Sequence, residues 1–108
     1  MNHLETITAL VTFSVPVSDA ISYLAEHPWE SDAELLILSP DNLRNVLSLF
    51  KSGILPASEV EVWANVVKNR RDIGVSSSRC RKLLHELANP SLTEQLSSER
   101  ADYWLSQL

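Results

Sequence analysis

The sequence predicts an all-α fold: a compact bundle of about five to six short helices, in one domain over residues 1–108, around a central helical hairpin. Three observations predict it. Five apolar quartets recur at i, i+3, i+4 and i+7, the spacing of one buried helical face. Only two glycines occur, Gly53 and Gly74. No stretch alternates apolar and polar residues as a half-buried strand does.

Leu4, Ile7, Leu10 and Val11 predict a first helix ending before Pro16. Threonines at 6, 8 and 12 oppose it, because β-branched side chains lose rotamer freedom in a helix, so a strand stays open as the alternative. Val17, Ala20, Ile21 and Leu24 mark the second helix, which the residue before Pro28 should stop. His27 to Asp32 reads as a polar turn, with Asp32 capping a short helical turn through Glu34 and Leu36. Leu35 to Leu38 is too short to assign by period and reads as a buried connector.

The hairpin follows. Ser39 is an N-cap residue and Pro40 stands at the first helical position, where the missing N–H matters least. Leu43, Val46, Leu47 and Phe50 form the buried face, Lys51 lies in the last turn and Gly53 just beyond it. Val60, Trp63, Ala64 and Val67 repeat the spacing in the next helix. Leu55 and Val60 are placed to staple its entry, and Glu59 suits its first turn. Asn69 to Ser78 is polar, holds Gly74 and a triple serine, and reads as an exposed loop. Cys80, Leu83, Leu84 and Leu87 give a further helix, with Asn89 in a left-handed cap before Pro90. Ser97 caps the last one, whose face is Ala101, Trp104, Leu105 and Leu108.

At 44% hydrophobic residues the chain has enough apolar material for a core. No apolar run nears the roughly 20 residues of a membrane span. The start of the chain lacks the cations of a signal peptide, and the lone Cys80 forms no internal disulfide, so the cytoplasm is the expected compartment. The net charge of −5 is unevenly spread. Residues 1–50 hold seven acids against one base, Arg44, whereas residues 68–82 hold Lys68, Arg70, Arg71, Arg79, Arg81 and Lys82 against Asp72. Such a division serves either two partner surfaces or compensation inside the fold.

Catalytic motifs are wanting. His3, His27 and His85 are isolated, and Cys80 and His85 fall on different helix faces, which is not a metal-ligand spacing. No serine sits in a G-x-S-x-G context, and two glycines make no phosphate-cradling loop. The expectation is a non-enzyme without cofactor or metal. The helix–Gly–helix resembles a DNA-reading motif in outline, but its second helix opens with Glu59 and Glu61, which phosphates would repel. The cations at 68–82 have no aromatic residue between them on which bases could stack. Trp63 and Trp104 fall on core faces. Trp29 stands beside Glu30 and Asp32, either tucked under the first helices or exposed as an aromatic anchor ringed by acids.

Four segments carry a resemblance: HPWESDAELL, LSPDNLRNVLSLFKSG, EVWANVVKNRRDIGV and LHELANPSLTEQLSSERADYWLSQL. In order and spacing they resemble the small helical immunity proteins of bacterial contact-dependent growth inhibition. One departure is visible. The segment after Trp63-Ala64-Asn65 tends to be acidic in that family, and here it carries Lys68, Arg70 and Arg71. The resemblance implies a cytoplasmic inhibitor that binds the C-terminal toxin domain of a delivered effector, commonly a nuclease. The residues expected to face that toxin are Asp19, Glu26, Glu30, Asp32, Glu34 and Asp41, with Trp29 as the apolar anchor. Two other readings stay open: a small helical adaptor, and a nucleic-acid-associated antitoxin using residues 68–82. No membrane partner is expected.

Overall fold

Six helices and one small sheet make up the computed structural model, which describes residues 3–26 and 33–108. In order they are α1 (His3–Val11), α2 (Val17–Glu26), β1 (Leu36–Leu38), α3 (Pro40–Lys51), α4 (Ala57–Lys68), β2 (Ile73–Val75), α5 (Ser78–Ala88) and α6 (Ser98–Gln107). The fold is therefore mostly α rather than strictly all-α. The two strands pair in parallel, Leu36 opposite Ile73 and Leu38 opposite Val75. Helices α3 and α4 make the crossover that a parallel pair requires.

The sheet corrects two expectations. Within Leu35 to Leu38, Leu36–Leu38 is a strand and the burial is split: Leu38 is fully buried, while Leu35 and Ile37 stand exposed. The polar stretch 69–78 is not simply an exposed loop, because Asp72, Ile73 and Gly74 are buried within it. β-Branched Ile73 and Val75, two residues apart, suit a pleated surface, and a three-residue strand is too short to announce itself by alternation. Two strands are marginal alone. Here α1 packs on β1 and α5 on β2.

The helix signals fare better. Ser39 closes a capping box with Asn42: its hydroxyl accepts from the Asn42 N–H, and its own N–H donates to Asn42 Oδ1 at 2.9 Å. Ser77 and Ser97 cap α5 and α6. Leu55 and Val60 are both buried at the entry to α4. At Gly53, φ is +83°, and the Gly53 and Ile54 N–H groups return to the Phe50 and Leu49 carbonyls, a Schellman cap. Helix α1 ends in the same motif, with Phe13 at φ +55° in the glycine's place. Asn89 departs from expectation: at φ −134° and ψ 59° it is not left-handed, since the following Pro90 restricts it to more extended backbone.

The organising contact also differs. Helix α4 packs most extensively on α5, and less on α3. Trp63, Ala64 and Val67 of α4 and Cys80, Leu83 and Leu84 of α5 belong to one buried core, and Asn65 Nδ2 donates to the Ala88 carbonyl at 3.0 Å. Trp63 is fully buried, and its indole N–H donates to the Leu10 carbonyl at 2.6 Å, tying α4 to α1. Of the apolar quartets, Leu4 and Ile21 stay exposed, and Phe50, Leu105 and Leu108 are half-buried.

Candidate functional site

The described residues among those expected to face a partner fall into three groups. Asp19 and Glu26 are exposed on α2, seven residues apart. Seven residues make nearly two turns, so both lie on one face about 10.5 Å apart along the axis. Glu34 is exposed just before β1, its carboxylate resting over the Cα of Gly74, in the space a Cβ would occupy. Asp41 lies apart from these, in the first turn of α3, where Arg44 Nη1 donates to it at 2.5 Å. Its charge is thus compensated within the chain, and Arg44 also reaches the Leu108 backbone oxygen, joining α3 to α6. Trp29, Glu30 and Asp32, with the expected turn at 27–32, lie outside the described residues. Among the described residues no cation stands within ion-pair distance of Asp19, Glu26 or Glu34.

Among the described residues two carboxylates are buried, and both serve as joints. Asp72 is fully buried at the start of β2. Arg70 grips it with two bonds, Nε to Oδ1 at 2.9 Å and Nη2 to Oδ2 at 2.7 Å, and His3 Nε2 lies 2.8 Å from Oδ2. A carboxylate accepts only, so this contact is a hydrogen bond in the tautomer that carries its proton on Nε2. The Asp72 carbonyl meanwhile accepts from the Leu35 and Leu36 N–H groups. One residue therefore joins α1, β1 and β2.

The second joint is Glu86, a buried acid on α5. Arg100 donates twice, Nε to Oε2 at 2.9 Å and Nη2 to Oε1 at 2.7 Å, and the Trp104 indole donates to Oε2 at 2.8 Å. Burial pushes the Glu86 carboxyl up, but the hydrogen bonds from Arg100 and Trp104, with the charges of Arg100 and Lys82, outweigh it and hold it below its ordinary value. The hydrogen bond to Glu86 in turn raises the Arg100 guanidinium, which also lies 4.5 Å from the Tyr103 ring centroid. Each buried acid is thus a bidentate arginine partner. Glu86 was legible only indirectly: a core tryptophan needs an acceptor for its N–H.

The cations of residues 68–82 do not act as one strip. Arg70 is committed to Asp72, and Arg79 donates to the Gln107 carbonyl at 2.7 Å. Lys68, Arg81, Lys82 and His85 instead rim a groove of about 570 Å³ between the end of α4, β2 and α5. Its floor is aliphatic, formed by Val67, Ile73, Val75 and Leu84. Lys68 Nζ lies 3.2 Å from His85 Nδ1. Sequence reasoning found these cations but not the floor between them; the β-branched pair flanking Gly74 was the available signal.

No family of proteins, no characterised protein and no solved structure matches the chain.

Proposed function

We propose that the chain is an immunity protein that binds and neutralises the C-terminal toxin domain, a nuclease, of a contact-dependent growth inhibition effector. Supporting this reading is one observation: exposed Asp19, Glu26 and Glu34 meet no neutralising cation among the described residues. Exposed like charges repel one another and oppose compaction. A partner that supplies the opposite charge relieves that repulsion. Nuclease clefts are cationic because they hold phosphate, and carboxylates can take the phosphate positions. Such complementarity also lifts association toward about 10⁸ M⁻¹s⁻¹ at low salt, from roughly 10⁵–10⁶ without it. In this mechanism the protein carries no chemistry of its own; it occupies the cleft and excludes the nucleic acid.

Co-expression tests the proposal. Cells producing the C-terminal domain of the large exported protein encoded directly upstream should survive when this chain is present. They should die when Asp19, Glu26 and Glu34 are all changed to lysine. Equal survival with both chains, or no protection by either, contradicts the reading. A second reading, a small adaptor module, is favoured by the cation-rimmed groove, which has no part in binding a basic toxin.

A further inference from the structure

We propose that the groove beside β2 docks an extended acidic segment of a partner protein, which adds to β2 as a third strand. The inference is independent of the toxin-binding reading and uses residues of opposite charge.

The ladder fixes which backbone groups are available. Leu36 N–H donates to the Asp72 carbonyl at 3.3 Å, and Ser76 N–H to the Leu38 carbonyl at 3.1 Å. With Leu36 opposite Ile73 and Leu38 opposite Val75, residues 72, 74 and 76 turn their N–H and C=O groups toward β1. Backbone groups alternate along a strand, so those of Ile73 and Val75 point away from β1. Among the described residues no hydrogen bond reaches them. A strand edge with open donors and acceptors is a template for another extended chain.

Charge selects the occupant. Lys68, Arg81 and Lys82 stand on the rim, and among the described residues no carboxylate lies within ion-pair distance of any of them. A second copy of the same basic edge would be repelled, so self-pairing is opposed. An acidic strand would be attracted. The aliphatic floor takes apolar side chains on the groove face of that strand, between the carboxylates that meet the rim. Single-stranded nucleic acid fits less well, because no Phe, Tyr or Trp lines the groove and His85 alone offers a ring for bases to stack on.

The probe is a capped peptide, Glu-Ser-Val-Ser-Val-Ser-Glu, whose extended form sets two valines between two glutamates on one face. Titrated into the full chain and followed by NMR, it should bind saturably and slow hydrogen exchange at the Ile73 and Val75 amides. Replacing both glutamates by glutamine, or changing Arg81→Glu with Lys82→Glu in the protein, should weaken binding at least tenfold. Those two side chains are exposed, so the chain should stay folded, with only the small loss that follows from removing the Lys82 charge near Glu86. Val75→Pro deletes an outward N–H that makes no ladder bond and should abolish binding; if that variant unfolds, the exchange data on the unaltered chain still decide. No saturation at millimolar peptide overturns the proposal. So does saturation without protection of those two amides, or tighter binding of a thymidine octanucleotide.

Discussion

At the scale of the residue, Glu86 is where electrostatics and folding meet. Its carboxyl is held below its ordinary value of 4.5 in the folded chain. The stabilisation this represents is fully present above that ordinary value and is lost as pH falls through the lowered folded one. Glu86→Gln should therefore flatten the acid limb of the stability curve. Near neutral pH it should cost about 1–3 kcal/mol, because the partly buried Arg100 loses its counter-charge. For a chain of this size each kcal/mol shifts the melting temperature by about 4–8 °C. Chemical denaturation from pH 7 downward measures both effects. An unchanged acid limb would mean that other carboxylates set it. In the sequence Asp72 falls within the polar stretch 69–78 that reads as an exposed loop. A sequence shows which residues are charged but not which of them a fold brings into a bidentate grip, and here that grip made the polar segment part of the interior.

At the scale of the element, helix starts and faces were readable and several connections were not. Ser39 and Ser97 act locally through the N–H groups three residues on, so sequence order is enough to find them, whereas Ser77, which caps α5 in the same way, is hidden in the triple serine of the polar stretch. The sheet depends on residues 37 positions apart, Leu36 with Ile73, and nothing local specifies that pairing. The two Schellman caps sharpen the contrast. Gly53 takes its left-handed backbone without steric cost, whereas Phe13 bears a penalty of about 1–2 kcal/mol in the same conformation. Phe13 holds its place through its ring, whose centroid lies 6.2 Å from that of Trp63. Phe13→Ala keeps the backbone penalty and loses the ring, while Phe13→Gly loses both. The alanine variant should be the less stable by about 1 kcal/mol, reversing the usual order of these two residues. Paired urea melts measure it, and the ordinary order would show that the cap is unstrained.

At the scale of the whole molecule, the division of charge seen along the chain resolves into separate fates. Asp41 is paired with Arg44 inside the acidic half and Asp72 with Arg70 inside the basic stretch, so neither pair sets one half against the other. Glu34, Asp19 and Glu26 keep their charge outward on one side of the account, and the cations around the β2 groove keep theirs on the other. The α4–α5 contact sets the groove, and α2 with the approach to β1 sets the acidic positions. The candidate site was thus legible as a set of charges, while its geometry waited on the fold.

On the proposed reading, exposed carboxylates of the N-terminal half steer this chain onto a cationic toxin. Stopped-flow association with the upstream-encoded toxin domain tests it most directly, at ionic strengths of about 0.01 M and 1 M, where charges are screened over about 30 Å and 3 Å. The rate should fall at least tenfold at high salt, and the Asp19→Lys, Glu26→Lys, Glu34→Lys chain should be slow at both. A rate indifferent to salt and to the triple reversal would contradict the account.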